Sequence, residues 1–218
     1  MTPFTQQLLL GKNMYDANPR RHLARAREHI SAAKATDYAV FRYAALDLRL
    51  AIETTFQEVL SACYRNFSSK FSDLYQAKGF IGQIRAQNSD FDLKNRLIPL
   101  VLETKKKIKH YTPLDLDRLS SMAGKLGDHL HHESRYDRKQ RSRDRVSMLR
   151  VLVAEIAEYL ESLLKHPRYW IEFHDSDQKF FEEVISGTRS VADFERHIRA
   201  GRLRHFAIID VHHLEEDA

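Results

Sequence analysis

Two parts of the sequence place arginine, glutamate, lysine and histidine side chains at helical spacing. In the stretch 37–67, Arg49 and Glu53 are four residues apart, so they can pair on one helix. Lys125 and His129 have the same spacing further along and share one flank of a predicted helix. A partly buried arginine needs a partner, so a structural ion pair is one interpretation of the first group. The alternative is that both groups converge between two helices as a site for an anion or an RNA phosphate.

Imidazole and carboxylate groups also cluster near position 130, and such groups can bind zinc or another transition metal. The cluster consists of Asp128, His129, His131, His132 and Glu133. Its spacing differs from HExxH, no cysteine ligands accompany it, and Lys125 lies on the same flank. We therefore favour a polar network at a helix end, and we expect neither a metal nor another cofactor.

Basic residues form three runs, within 20–27, 105–109 and 135–145, in a chain of formal net charge +5. The residues expected to contact nucleic-acid phosphates are Arg21, Arg25, Lys106, Lys107, Arg138, Arg141 and Arg143. Tyr111 and Tyr136 lie beside two of the runs and could stack on bases. The alternative interpretation is a solvated basic surface, since the excess of positive charge is modest.

Long helices must position these groups, because 7 glycines and 5 prolines leave little material for turns among 218 residues. The stretch 37–67 contains neither residue type, and its apolar side chains recur every three or four positions. Asp37, or Thr36 before it, can cap this helix. Leu46 and Leu50 lie off the main stripe and indicate burial on more than one side. Arg42 falls between the two apolar sides, as Arg49 and Glu53 do.

Local signals predict other helix boundaries and contacts. Asn18-Pro19 and Thr112-Pro113 are typical helix starts, with proline in the first turn. Pro99 is expected to kink or divide the helix in which it lies. Gly124 and Gly127 are costly inside a helix, which indicates that another backbone passes close to that flank.

The whole pattern predicts a mainly α protein, an up-and-down helical bundle of four to five long helices with a small C-terminal α/β appendage. The predicted divisions are a short N-terminal helix in 1–17, the bundle in 18–166 and the appendage in 167–218. RYWIEFH and HFAIIDV are strand-like, and the two segments between them are helix-like. We therefore predict a strand–helix–helix–strand order for 167–211.

The cysteine count and the absence of long apolar runs indicate the cellular compartment of the protein. A single cysteine, Cys63, allows no internal disulfide, which is typical of a reducing cytosol. No apolar run in the sequence approaches the ~20 residues that span a membrane. The first residues lack the basic start and cleavage site of a signal peptide. We expect a cytoplasmic protein that has no membrane partner.

The segments YAALDLRLAIE and KLGDHLH resemble parts of the bacterial HEPN-like helical proteins, and the comparison covers 18–165. The resemblance implies an up-and-down bundle that often forms a homodimer. Many members are ribonucleases of toxin–antitoxin or anti-phage systems, and others are inactive binding modules. Active members carry an arginine followed, after four to six residues, by a histidine. Arg168 and His174 have this spacing, but they lie outside the predicted bundle, and Tyr169 replaces the polar residue that usually follows the arginine.

Two functions compete on these grounds. The first is a HEPN-like protein of a bacterial defence or stress system that binds or cleaves RNA without a metal. Its candidate catalytic residues are Arg49, Glu53, Lys125, His129, Arg168 and His174. Histidine would act as general acid or base, and arginine would stabilise the charge on the phosphorane. The alternative is a non-enzymatic dimeric module that binds a protein partner through the bundle and the C-terminal strand 206–211.

Overall fold

The structure is a computed structural model that describes residues 18–34, 36–63, 77–105, 108, 110–131 and 142–210. Over these residues the chain is mainly helical, as predicted, with eight helices and one two-stranded antiparallel sheet. The helices are α1 (Pro19–Ala32), α2 (Tyr38–Cys63), α3 (Ala77–Gln87), α4 (Phe91–Thr104), α5 (Leu116–His131), α6 (Ser142–Leu164), α7 (Asp175–Ile185) and α8 (Val191–Arg199), and the strands are β1 (Tyr169–Phe173) and β2 (Phe206–Asp210). Within the described ranges, no helix is both long enough and apolar enough to cross a membrane. The helix predicted in 1–17 lies outside the described residues.

Capping side chains determine where the first two helices begin. Asn18 is extended, and its Oδ1 accepts a hydrogen bond from the Arg20 N–H at 2.9 Å. Pro19 occupies the first turn, where its missing N–H costs no intrahelical hydrogen bond. Asp37 Oδ1 accepts from the Val40 N–H at 3.3 Å at the start of α2. Both predicted starts are confirmed.

The predicted start of α5 at Thr112-Pro113 is wrong, because the helix begins at Leu116. Contacts from α4 hold the preceding residues: Asn95 Nδ2 donates to the Leu114 carbonyl at 2.5 Å, and Asn95 Oδ1 accepts from the Leu114 N–H at 3.1 Å. Leu114 is also buried, so both its backbone and its side chain are committed outside a helix. The helix α4 itself continues through Pro99 and is not divided there.

The chain forms two compact units. Unit 1 comprises residues 1–56 and 118–161, and unit 2 comprises residues 57–117 and 162–218. This division differs from the predicted boundary at position 166, since residues 57–117 belong with the C-terminal segment. Independent folding of 167–218 stays a prediction.

Unit 1 contains α1 and most of α2, α5 and α6. The predicted apolar stripe of α2 is confirmed, with Ala44, Ala45, Leu48, Ile52 and Phe56 fully buried. The other three helices contribute the buried residues Ala26, Leu119, Leu126, Leu149, Val153, Ile156 and Leu160. Burial on a second apolar side of α2 is only partly seen, because Leu50 is half-buried but Leu46 is exposed. The side of α2 that bears Leu46 therefore faces solvent within this unit.

Unit 2 contains the predicted strand–helix–helix–strand order, which is confirmed. The strands pair antiparallel, from Tyr169 opposite Asp210 to Phe173 opposite Phe206. Their buried residues share one core with α4, α7 and α8, which consists of Leu97, Ile98, Val101, Leu102, Tyr111, Ile171, Phe173, Phe181, Val184, Phe194, Ile198 and Leu203. A two-stranded sheet is marginal alone, so the helices that cover it supply the apolar area it needs.

A buried carboxylate fixes the chain just before β2. Asp177, in α7, is 3% exposed, and its Oδ2 accepts hydrogen bonds from the backbone N–H groups of Arg204 at 2.7 Å and His205 at 2.6 Å. Two N–H groups thus share one carboxylate acceptor, and hydrogen bonds to a charged acceptor are stronger than those between neutral groups. The contact ties α7 to the entry of β2.

We expect Asp177→Ala to lower the free energy of unfolding by about 2 kcal/mol, because two part-buried N–H groups lose their charged acceptor. Asp175→Asn is the matched control. Asp175 is exposed and has a φ of 47°, which asparagine tolerates, and it makes only a surface pair with His205. Its replacement should cost less than about 1 kcal/mol. Urea unfolding of both variants provides the measurement. Equal losses in the free energy of unfolding would show that the Asp177 carboxylate contributes no more to stability than the exposed Asp175.

Candidate functional site

The predicted pair on α2 is present. Arg49 Nε donates to Glu53 Oε1 at 2.9 Å, and about a quarter of the Arg49 side chain is exposed. Arg49 also lies against α5, since a Cβ added at Gly127 would be 3.2 Å from Arg49 Nη1. The prediction that a backbone passes close to both glycines is therefore wrong. Gly127 leaves room for a guanidinium group, and an added Cβ at Gly124 would meet nothing within 4 Å.

A second group of side chains joins α2, α5 and α6 within unit 1. Arg42 Nη2 donates to the Leu130 carbonyl at 2.9 Å. The guanidinium carbons of Arg42 and Arg145 lie 6.0 and 5.2 Å from the centre of the Tyr38 ring. His129 precedes the residue that Arg42 contacts. We call Tyr38, Arg42, His129 and Arg145 the arginine–tyrosine cluster. It brings two positive charges to one aromatic ring, and the charge of Arg145 also acts on His129.

The electrostatics of this cluster act on His129. Partial burial lowers the pKa of His129, and the positive charge of Arg145 lowers it further, while Asp128 opposes the shift. The imidazole is therefore neutral at pH 7 and can both donate and accept a hydrogen bond. Lys125, predicted to share the site, is exposed and makes no hydrogen bond or ion pair to the described residues. The catalytic roles predicted for Arg49, Glu53 and Lys125 stay predictions.

Sequence reasoning missed a third group, which joins α1 to α2. Asp47 is 8% exposed and lies among three basic side chains of α1. Its Oδ1 accepts from Arg25 Nε at 3.0 Å and lies 3.6 Å from His22 Nδ1, and its Oδ2 lies 3.4 Å from His29 Nε2. A contact between Arg25 Nη2 and His22 Nδ1 completes the set. We call His22, Arg25, His29 and Asp47 the Asp47 cluster.

The sequence did contain a signal for the Asp47 cluster. His22, Arg25 and His29 occur at steps of three and four, which places them on one face of α1. Asp47 is one of two acidic residues in the mainly apolar run YAALDLRLAIE of the neighbouring helix, and the other, Glu53, can pair with Arg49. A buried carboxylate needs cationic or N–H partners, so the two patterns together could have indicated the contact.

The other predicted basic residues have different outcomes. Arg21 is exposed on α1. Arg25 is half-exposed, but it is an ion-pair partner of Asp47 and not simply part of a solvated basic face. Lys106, Lys107, Arg138 and Arg141 lie outside the described residues, as does the side chain of Arg143. Contacts of these side chains with nucleic acid stay predictions.

Within the chain, the structure does not bring Arg168 and His174 together. They lie at opposite ends of β1, so their backbones are about 20 Å apart at the strand rise of about 3.3 Å per residue. Arg168 is 3% exposed and donates to the Leu163 carbonyl through Nη2. His174 is exposed and precedes α7. Arg168 therefore serves as a buried donor in unit 2, and the catalytic role of the pair stays a prediction.

Among the described residues, no group of three or more histidine, cysteine, aspartate or glutamate side chains has an arrangement that could hold a metal ion. Of the predicted set around position 130, His132 and Glu133 lie outside these residues, as does the side chain of His131. The chemistry that the described groups can perform is ion pairing, hydrogen bonding and proton transfer.

The two glycines of α5 give a direct test of the Arg49 contact. Gly124→Ala should stabilise the protein by about 0.5–1 kcal/mol, since the helix gains a better former and no neighbour is displaced. Gly127→Ala should stabilise it less, or destabilise it, because the Arg49 guanidinium must move. In an Arg49→Ala background the two substitutions should become equivalent. Chemical unfolding of the five variants measures this, and a Gly127→Ala effect that is independent of Arg49 would contradict the contact.

The electrostatics of His129 predict a pH dependence with a definite sign. Its folded pKa lies below the ordinary value of 6.5, so the unfolded state binds more protons. Stability should therefore fall as the pH drops from 6.5 through the folded pKa, and His129→Gln should flatten this fall. By NMR titration, Arg145→Gln should raise the His129 pKa and Asp128→Asn should lower it. Shifts of the same sign in both variants would contradict the assigned causes.

No protein-family model matches the sequence, and neither a curated protein nor a solved structure matches the chain. The HEPN-like resemblance therefore stays a prediction. The function has to be argued from the side chains that the structure brings together.

Proposed function

We propose that the protein is a HEPN-like RNA-binding protein, and that the arginine–tyrosine cluster contacts the phosphate backbone. The single observation behind this proposal is that Arg42 and Arg145, from two helices, both lie against the Tyr38 ring beside a neutral His129. The proposal includes an up-and-down bundle of the unit 1 helices, homodimer formation and a role in bacterial defence or stress.

The charge balance of the cluster favours an anionic ligand. The guanidinium carbons of Arg42 and Arg145 both lie within 6.0 Å of the centre of the Tyr38 ring, so two positive charges occur close together. Both guanidinium groups are only partly buried, and a planar guanidinium can donate two hydrogen bonds to one phosphate. A neutral imidazole adds a further donor, and a bound phosphate would favour its protonated form. The ligand and His129 would therefore stabilise each other.

The sequence that connects α5 to α6 carries an excess of positive charge. His131 ends α5 two residues after His129, and Ser142 begins α6 three residues before Arg145. The connecting sequence HESRYDRKQR contains four arginine and lysine residues against two acidic ones, and these include the predicted phosphate-binding Arg138 and Arg141. Its Tyr136 is a candidate for stacking on a base. The predicted phosphate-binding residues of this sequence thus lie within a few positions, along the chain, of His129 and Arg145.

A second candidate function is a dimeric module for protein binding. Met148 and Val151 are 66% and 52% exposed and lie three residues apart on α6. Large apolar side chains that lie together on a helix face are typical of interaction surfaces. This candidate requires self-association without any affinity for nucleic acid.

The proposed RNA contact predicts a specific dependence on salt. The protein should bind single-stranded RNA with an affinity that falls steeply as salt rises. Arg145→Gln should weaken binding several-fold and reduce the slope of log K against log salt by about 0.7, the value for one lost contact to a single strand. Fluorescence anisotropy at several salt concentrations gives both quantities.

Arg202→Gln is the matched control, since Arg202 is exposed and lies in unit 2. It removes the same charge from the chain and should leave the slope unchanged. An equal effect of both variants would show that net charge alone attracts the RNA. Salt-insensitive self-association with no RNA binding would overturn the proposal in favour of the protein-binding module.

A further inference from the structure

We propose that the arginine–tyrosine cluster binds the terminal phosphate of a single-stranded RNA, a phosphomonoester, in preference to a phosphodiester within the strand. The inference rests on the proposed RNA binding and specifies which phosphate occupies the cluster. The observation that carries it is the state of the Tyr38 hydroxyl. Either end of an RNA can bear such a phosphate, so the chemistry of the ligand is the same for both ends.

The Tyr38 hydroxyl lacks a partner in the part of the chain that the structure describes. Its Oη is shielded from solvent, and it forms no hydrogen bond to a described residue. Folded proteins pair nearly all of their buried polar atoms, because a buried hydroxyl without a hydrogen bond destabilises the fold. The O–H group can donate to an acceptor, and a phosphate oxygen is a strong acceptor.

Two guanidinium groups lie close to the same ring. The guanidinium carbons of Arg42 and Arg145 are 6.0 and 5.2 Å from the centre of the Tyr38 ring. Arg42 Nη2 also donates to the Leu130 carbonyl, which fixes the position of its guanidinium against α5. A planar guanidinium can give two parallel N–H groups to a phosphate. A terminal phosphate presents three non-bridging oxygens to these donors, whereas a phosphodiester presents two.

The two kinds of phosphate also differ in charge. At pH 7 a phosphomonoester carries about −1.5 to −2, and a phosphodiester carries about −1. His129 is neutral at this pH, because burial and the charge of Arg145 lower its pKa, so the ring adds a donor without a third positive charge. Asp128, which opposes this shift, is exposed, and solvent screens its charge. The larger charge of the terminal phosphate therefore strengthens its hydrogen bonds to the cluster.

The burial of the cluster favours the end of a strand. Tyr38, Arg42, His129 and Arg145 are each half-buried, and the Tyr38 Oη is fully shielded. A terminal phosphate has one ester substituent, so it can enter a partly enclosed site while its nucleoside stays outside. A phosphodiester carries a nucleoside on each side, and both must fit beside the surrounding side chains. The long arginine side chains can turn to admit the smaller group.

A cluster that only stabilises the fold is the alternative interpretation. In that case the aromatic ring would suffice, because cation–π contacts use the face of the ring and not its hydroxyl. Phenylalanine at position 38 would preserve these contacts and would bury no unpaired oxygen. The hydroxyl of Tyr38 is therefore the feature that a structural role leaves unexplained.

The test compares RNAs of one unstructured sequence that carry a 5′-phosphate, a 3′-phosphate or hydroxyl groups at both ends. Fluorescence anisotropy with the full chain at one salt concentration gives the affinities. A terminally phosphorylated RNA should bind about 10-fold or more tightly than the hydroxyl-ended RNA, and the arm that shows the gain identifies the end. A hydroxyl-ended RNA that is one nucleotide longer adds an internal phosphate and should show no such gain.

Tyr38→Phe removes only the hydroxyl and keeps the ring that both guanidinium groups contact. It should lower the affinity for the terminally phosphorylated RNA about 10-fold and leave the affinity for the hydroxyl-ended RNA unchanged. Tyr43→Phe is the matched control, since it removes a hydroxyl from a residue of the same helix that is 59% exposed. It should change neither affinity. Thermal unfolding of both variants verifies that the fold is kept.

The outcomes separate this inference from the proposed function. RNA binding that is equal for all ends overturns the terminal-phosphate site and leaves RNA binding in place. A preference that persists undiminished in Tyr38→Phe also overturns it, because the hydroxyl then plays no part. Absence of RNA binding in the wild type removes both. A preference that is lost in Tyr38→Phe and kept in Tyr43→Phe establishes the site, and gains from both phosphorylated RNAs show that it accepts either end.

Discussion

The charges that α2 carries among its apolar residues are the constraint on which unit 1 depends. A helix that buries Ala44, Leu48 and Ile52 cannot also bury a carboxylate or a guanidinium unless a partner reaches it. Asp47 finds its partners on α1, and Arg42 finds an acceptor on α5. Each compensated charge therefore determines which helix lies on which side of α2.

In unit 1, different residues provide the stability of the fold and the selection of one helix arrangement. A fully buried leucine, isoleucine or phenylalanine contributes about 1.5–3 kcal/mol, and α2 carries several. A partly exposed ion pair such as Arg49 with Glu53 contributes about 0–1 kcal/mol. The apolar residues hold the helices together, and the polar contacts select one rotation and one register. Gly127 shows the same selection, because its missing side chain leaves the space that Arg49 occupies.

What could be predicted from the sequence was encoded locally. Asn18 and Pro19 are sufficient to predict the start of α1. After Pro167, the apolar residues recur every two positions in the strands and every three or four positions in the helices. The start of α5 could not be predicted in this way. Thr112-Pro113 is a good local signal for a helix start. However, Asn95, nineteen residues before Leu114, forms two hydrogen bonds with the Leu114 backbone and so holds it outside a helix. Long-range hydrogen bonds of this kind leave no trace in a local window.

The candidate sites also differ in whether a local signal or a long-range contact determines them. Arg49 and Glu53 were predictable because both lie on one helix at a spacing of four. The Asp47 cluster depends on the approach of α1 to α2, which no spacing within either helix specifies. For the same reason Lys125 was grouped with His129 by spacing, while the charge that acts on His129 comes from Arg145 on another helix.

His29 and His129, both in unit 1, illustrate how neighbouring charges give two imidazole rings different surroundings. Partial burial and the charge of Arg145 both lower the pKa of His129, so that ring is neutral at pH 7. The His29 ring has a different neighbour, since its Nε2 lies 3.4 Å from Asp47 Oδ2. A neutral ring among arginines is suited to holding a phosphate, and a ring backed by a carboxylate is suited to moving a proton. The two surroundings differ because the charged partners come from different helices, Asp47 from α2 and Arg145 from α6.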